Sequence, residues 1–200
     1  DDWGIGFNLG ILFEPNDQTR VGLSYRSAID HEVEGERTIS GVGFPVDGQM
    51  GAEVPLELPP NLALGFRHQV DDRLTLMGDV TWTGWSSFDE LRISFDDGSP
   101  DDVTISDWND NWRLSLGLEY GFSAAWTFRG GFMYDQSPIP GPDERTPRIP
   151  DSDRYWLSVG ATWRPSSRLS IDFAYSHLFF DDAELRNTID LAPTVAPGAF

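Results

Sequence analysis

The chain has 200 residues, no cysteine and a formal net charge of −19, which excludes disulfides and thiolate metal sites and argues against nucleic acid or an anionic membrane surface as a partner. No apolar run approaches the ~18 residues of a transmembrane helix. Yet 13% aromatic residues and 20 glycines are unlike a disordered acidic chain, so the acid belongs in loops around something well packed.

The start, Asp1-Asp2-Trp3-Gly4, carries no basic or apolar leader and is expected to follow processing or to lie inside a longer chain. From Trp3 to Glu14 the residues alternate, with Trp3, Ile5, Phe7, Leu9, Ile11 and Phe13 against Gly4, Gly6, Asn8, Gly10, Leu12 and Glu14. Alternation of this kind is a strand with one apolar face, because successive side chains point to opposite sides. Pro15 to Gln18 is a turn. A second strand sets Val21, Leu23, Tyr25 and Ile29 against Arg20, Gly22, Ser24 and Arg26, and residues 31–60 read as a long polar loop. Strand three (Leu62, Leu64, Phe66, Val70 outward) and strand four (Leu74, Leu76, Val80, Trp82) flank the turn at Asp71-Asp72-Arg73.

An acidic loop covers residues 86–110. Strand five runs from Trp112 to Phe122 and strand six from Trp126 to Asp135, with a short turn between them. A proline-rich loop follows over 136–153. Strand seven (154–164) and strand eight (169–179) are joined by Pro165-Ser166-Ser167, and the tail from Asp181 to Phe200 shows no strand pattern.

Two regularities set the class. Short turns alternate strictly with loops of roughly twenty residues, the arrangement of an outer-membrane barrel with short periplasmic turns and long extracellular loops. The apolar face of all eight strands lacks Asp, Glu, Lys and Arg, its ionisable members being His68 and His177, whereas it holds all five tyrosines and five of the eight tryptophans. A charge at the bilayer midplane costs about 2–4 kcal/mol on the lipid face, and aromatic rings favour the two interfaces. The reading is an all-β antiparallel meander of about eight transmembrane strands. The alternative is a soluble or cell-surface β-sheet module that binds ligands with exposed aromatics.

The segments DDWGIGFNLGILFE, VGLSYRS, WTGWSSF, WTFRGGFMYDQSPIP and IPDSDRYWLSVG resemble the long-chain fatty acid transporter family, of FadL/TodX type, over nearly the whole chain. The resemblance implies a Gram-negative outer-membrane barrel of fourteen strands that takes up hydrophobic molecules by diffusion. It also implies that residues 1–200 form one partial, unclosed barrel domain. The family's plug and early strands would precede Asp1, and residues 181–200 would begin an extracellular loop. Expected partners are a hydrophobic small molecule such as a fatty acid, outer-membrane lipid and lipopolysaccharide. No cofactor, metal or nucleic acid is expected, and the full-length form is expected to be a monomer.

The inward face carries Arg26, Arg67, Arg113, Glu119, Arg129 and Arg164, either as a lining for a polar cargo head or as a ladder of cross-strand pairs. Trp85, Met133, Trp156, Leu178 and Phe180 share the wet parity; they either line a hydrophobic pocket or pack against a plug. In the loops Phe44, Val46, Met50, Trp108 and Ile139 are candidates for an apolar capture groove. The family's basic pocket residue aligns with Thr104, which leaves room for a neutral substrate. Asp96 to Asp102 lacks the spacing of a calcium loop, and Ser27 and His177 fall on strands too far apart for catalysis.

Overall fold

The computed structural model describes residues 2–39, 41 and 48–186. The strands are β1 (Asn8–Asn16), β2 (Thr19–Arg26), β3 (Ile29–Ile39), β4 (Gly48–Leu58), β5 (Asn61–Gln69), β6 (Leu74–Thr83), β7 (Glu90–Phe95), β8 (Asp102–Ile105), β9 (Asn111–Gly121), β10 (Trp126–Asp135), β11 (Arg154–Ser166) and β12 (Leu169–Phe180). They form two sheets. Eight strands pair antiparallel in the order β1-β2-β5-β6-β9-β10-β11-β12, and four more in the order β3-β4-β7-β8. The larger sheet is the expected meander. It is open among the described residues: β1 pairs only with β2, and β12 only with β11.

Register carries the two-faced pattern across the whole sheet. One outward row runs Phe13, Val21, Phe66, Gly78, Leu116, Phe132, Leu157 and His177 on successive strands. Gly78 is required there, because an added Cβ would stand 2.7 Å from the Phe66 ring and 3.0 Å from Leu116. Large apolar side chains on this face are open, Leu116 being 64% exposed and Val159 55%. A soluble protein rarely exposes so broad an apolar patch. Aromatic pairs border it. Trp126 and Trp163 stack at 5.8 Å near the short turns, and Tyr134 and Tyr155 meet at 5.2 Å near the long loops. Of the two outward histidines, His68 hydrogen-bonds the Thr19 hydroxyl at 2.9 Å, and His177 lies 3.1 Å from the Tyr175 hydroxyl.

Several boundaries differ from the sequence reading. The first strand begins at Asn8 rather than Trp3. The second ends at Arg26, where the Ser27 hydroxyl accepts the Phe7 N–H at 2.9 Å and turns the chain into β3. The largest correction concerns the two loops over 31–60 and 86–110, which carry β3, β4, β7, β8 and a 3-10 turn at Trp85–Ser87. β3 alternates Asp30, Glu32, Glu34 and Glu36 with His31, Val33, Gly35 and Arg37. Its period of two is written in charge rather than in apolar residues.

Candidate functional site

The inward face of the large sheet is a polar wall. Arg20 pairs with Glu14 at 2.6 Å, and Arg26 donates to Asn8 at 3.1 Å. Glu119 pairs with Arg129 at 2.7 Å. Arg129 reaches on to the buried Thr162 hydroxyl at 2.7 Å, and Thr162 donates to Asp172 at 2.5 Å. Arg164 donates to Thr127 at 3.2 Å, and Ser115 bonds Asp79. Arg154 is held by Asp135 at 3.0 Å and Asp151 at 2.9 Å. Arg113 stands apart from the Glu119–Arg129 pair, opposite Thr81 and Asp135, and Arg67 sits opposite Arg20 and Met77. Among the described residues neither side chain has a hydrogen bond or ion pair.

Met133, Trp156 and Leu178 are direct neighbours on β10, β11 and β12, and Phe180 lies one inward position further along β12, opposite Arg154. Met133 and Trp156 line a groove of about 580 Å³ that runs over the paired glycines Gly117 and Gly131 toward Arg67. The Trp156 indole N–H is buried without a partner.

The other two candidates meet in the loops. Trp85 and Trp108 pack edge-on at 5.0 Å, and Phe88 closes the cluster at 4.8 Å from Trp108. Asp110 fixes this arrangement, accepting the Trp82 indole N–H at 3.0 Å and the Ser86 backbone N–H at 2.9 Å. Hydrogen bonds from Ser86 and then Trp82 hold the Asp110 carboxyl below its ordinary pKa, against the opposing effect of partial burial. Asp107, at φ 43°, takes a left-handed backbone just before Trp108.

Beside the cluster lies a cavity of about 560 Å³ between the second and third long loops. Its apolar walls include Phe88, Leu91, Ile105, Trp108, Ile139 and Ile149. Phe88 and Ile139, 9% and 7% exposed, are the buried apolar residues among those described. Thus Trp108 and Ile139 come together, and Thr104 lines the same cavity. Met50 lies on β4 opposite Arg37, away from it; Phe44 and Val46 lie outside the described residues. Trp108 and Ile149 also line a second groove, which leads past Trp85 to Asn111 and Arg154 on the sheet.

The sequence reading missed Phe88, Leu91, Val103, Ile105 and Ile149. For Leu91 the signal was present, since Leu91, Ile93 and Phe95 alternate inside the acidic loop. It also missed Arg145, 9% exposed, which donates to the Asp151 carbonyl at 2.8 Å and the Glu184 carbonyl at 2.6 Å. Arg145 thereby ties the third loop to the segment after β12. Three aspartates of the second loop have partners. Asp96 accepts the Gly51 N–H, Asp97 caps Ser99, and Asp101 pairs with Arg92. Ser27 and His177 lie on opposite flanks of the sheet.

A two-faced antiparallel sheet, apolar outside and polar inside, with long loops gathered at one end, defines a wall segment of an outer-membrane β-barrel. Residues 1–196 match the sequence profile of the outer membrane protein transport family (OMPP1/FadL/TodX), and the chain belongs to that family. It is 34% identical over 192 residues to the long-chain fatty acid transport protein of Escherichia coli O6:H1, covering 89% of this chain and 43% of that protein. It is 35% identical over 178 residues to outer membrane protein P1 of Haemophilus influenzae, covering 88% of this chain and 38% of that one. A FadL homologue of Pseudomonas aeruginosa superposes with a TM-score of 0.78 at 31% identity, over 88% of this chain and 44% of that chain. The Pseudomonas putida toluene transporter TodX shares the fold at a TM-score of 0.62 and 24% identity, with the same coverage. The chain therefore spans less than half the length of these relatives. It is an outer-membrane protein segment.

Proposed function

We propose that this segment forms the wall and the outer entrance of a channel through which hydrophobic compounds diffuse passively across the outer membrane. The observation that carries the reading is the apolar cavity between the extracellular loops, adjoined through Trp108 and Ile149 to a groove that reaches the barrel wall. A pocket with apolar walls beneath a polar rim suits a hydrocarbon cargo, and Phe88 and Trp108 are its aromatic floor. Inward of it, Met133, Trp156, Leu178 and Phe180 continue a surface a hydrocarbon can follow. The charged wall of Arg26, Arg67, Arg113, Glu119, Arg129 and Arg164 keeps the rest of the lumen wet. The outer face meets lipid and, at the loop end, lipopolysaccharide, and the full-length barrel works as a monomer. Relatives that carry long-chain fatty acids or toluene agree with a cargo of this kind.

The experiment is uptake of a radiolabelled long-chain hydrocarbon by cells whose outer membrane carries the full-length protein and no other hydrophobic channel. Uptake above that of cells without the protein supports the reading, and equal uptake contradicts it. A concentration dependence that persists after energy poisons separates diffusion from pumping.

A further inference from the structure

The cavity's polar rim is unbalanced. Asp102, Asp143 and Glu144 line it, against one basic side chain, Arg148. Among the described residues none of these three carboxylates has a side-chain hydrogen bond or ion pair. The arginines around them are committed elsewhere, Arg145 to two backbone carbonyls and Arg154 to Asp135 and Asp151. Apolar walls focus the field of such a rim, because the low-dielectric surface concentrates field lines in the opening.

A second observation lies in the adjoining groove. Asn111 is 9% exposed, and its amide nitrogen donates to the Gln136 carbonyl at 2.8 Å. Because that partner is an acceptor, the tethered atom must be nitrogen and the free one oxygen. This Oδ1 is buried with no partner. A carbonyl oxygen accepts a hydroxyl or a neutral acid O–H, and it repels a carboxylate.

Both features disfavour the same ligand chemistry. We propose that this entrance admits neutral hydrophobic molecules, including those that bear a hydroxyl, and rejects ionised carboxylates. The inference rests on the transport reading above and narrows it to a substrate class. With two uncompensated charges within a Debye length of the opening, discrimination on the order of tenfold follows.

The test compares dodecanol with dodecanoate, equal in chain length, at about pH 8 where the acid is ionised. Uptake is followed in cells carrying the full-length protein and corrected for cells without it. The expected result is a preference for dodecanol on the order of tenfold, reduced several-fold in the double variant Asp143→Asn, Glu144→Gln. Neither side chain holds a bond in the loops, so the variant should fold. Equal or faster entry of dodecanoate into the unaltered protein overturns the inference while leaving transport intact, and so does a double variant with an unchanged ratio. If neither compound enters above background, the transport reading falls and takes this inference with it.

Discussion

The eight-stranded wall and the loop cluster above it are stabilised in opposite ways. The wall has no apolar interior: its large side chains, Leu9, Ile11, Leu116 and Phe173 among them, stand more than half exposed, and its inward face is a ladder of charges. It is complete only when lipid covers one face and water or other protein the other. The loop cluster makes its own interior. There Trp85, Phe88 and Trp108 pack on one another, Ile139 is buried, and Asp110 and Arg145 satisfy the backbone and indole groups that packing would otherwise strand. The loops can therefore change without rebuilding the wall.

The sharpest way to break the contrast is to place a charge on each face of one strand. Leu116→Arg puts a guanidinium into lipid near mid-strand and should destabilise the assembled full-length barrel by about 2–4 kcal/mol. Ser115→Arg points inward beside Asp79 and should change stability by less than about 1 kcal/mol. Urea unfolding from lipid vesicles measures both, and equal losses would erase the distinction between the faces.

A change confined to the loops should spare the wall. Trp108→Ala removes the ring that touches both Trp85 and Phe88, and should cut hydrocarbon uptake at least several-fold. Sheet content by far-ultraviolet circular dichroism should stay unchanged. Loss of strand signal in this variant would show that the cluster is part of the wall's stability after all.

The smallest effect expected is titration of Asp110. Its folded pKa is depressed, so its contribution is full above the ordinary carboxylate value. That contribution is lost as pH falls through the lower folded value. Acid titration should loosen the tryptophan near-ultraviolet signal in that acidic window. Asp110→Asn should start from a weaker signal and lack the step.

The wall was legible in the sequence because each strand repeats one physical rule, apolar against polar at a period of two, and register then aligns the rows. Met133, Trp156 and Leu178 could be singled out as large apolar groups on the wet parity. That they are consecutive neighbours needed the pairing of β10, β11 and β12. The small sheet was hidden because β3 alternates glutamates with mixed residues, and Asp89, Asp96 and Asp101 mask the alternation of Leu91, Ile93 and Phe95. Arg145 and Asp110 gave no local signal, since each acts on partners far along the chain or across a loop.

The central claim is that one face of the eight-stranded sheet meets lipid and the other meets water. The chain contains no cysteine, so single cysteines can be placed in turn at Leu114, Ser115, Leu116, Gly117 and Leu118 of β9. In the assembled full-length barrel, a small water-soluble thiol reagent should modify the positions at 115 and 117 and leave 114, 116 and 118 unmodified. Uniform labelling along β9, or labelling of 114, 116 and 118 instead, would contradict the account.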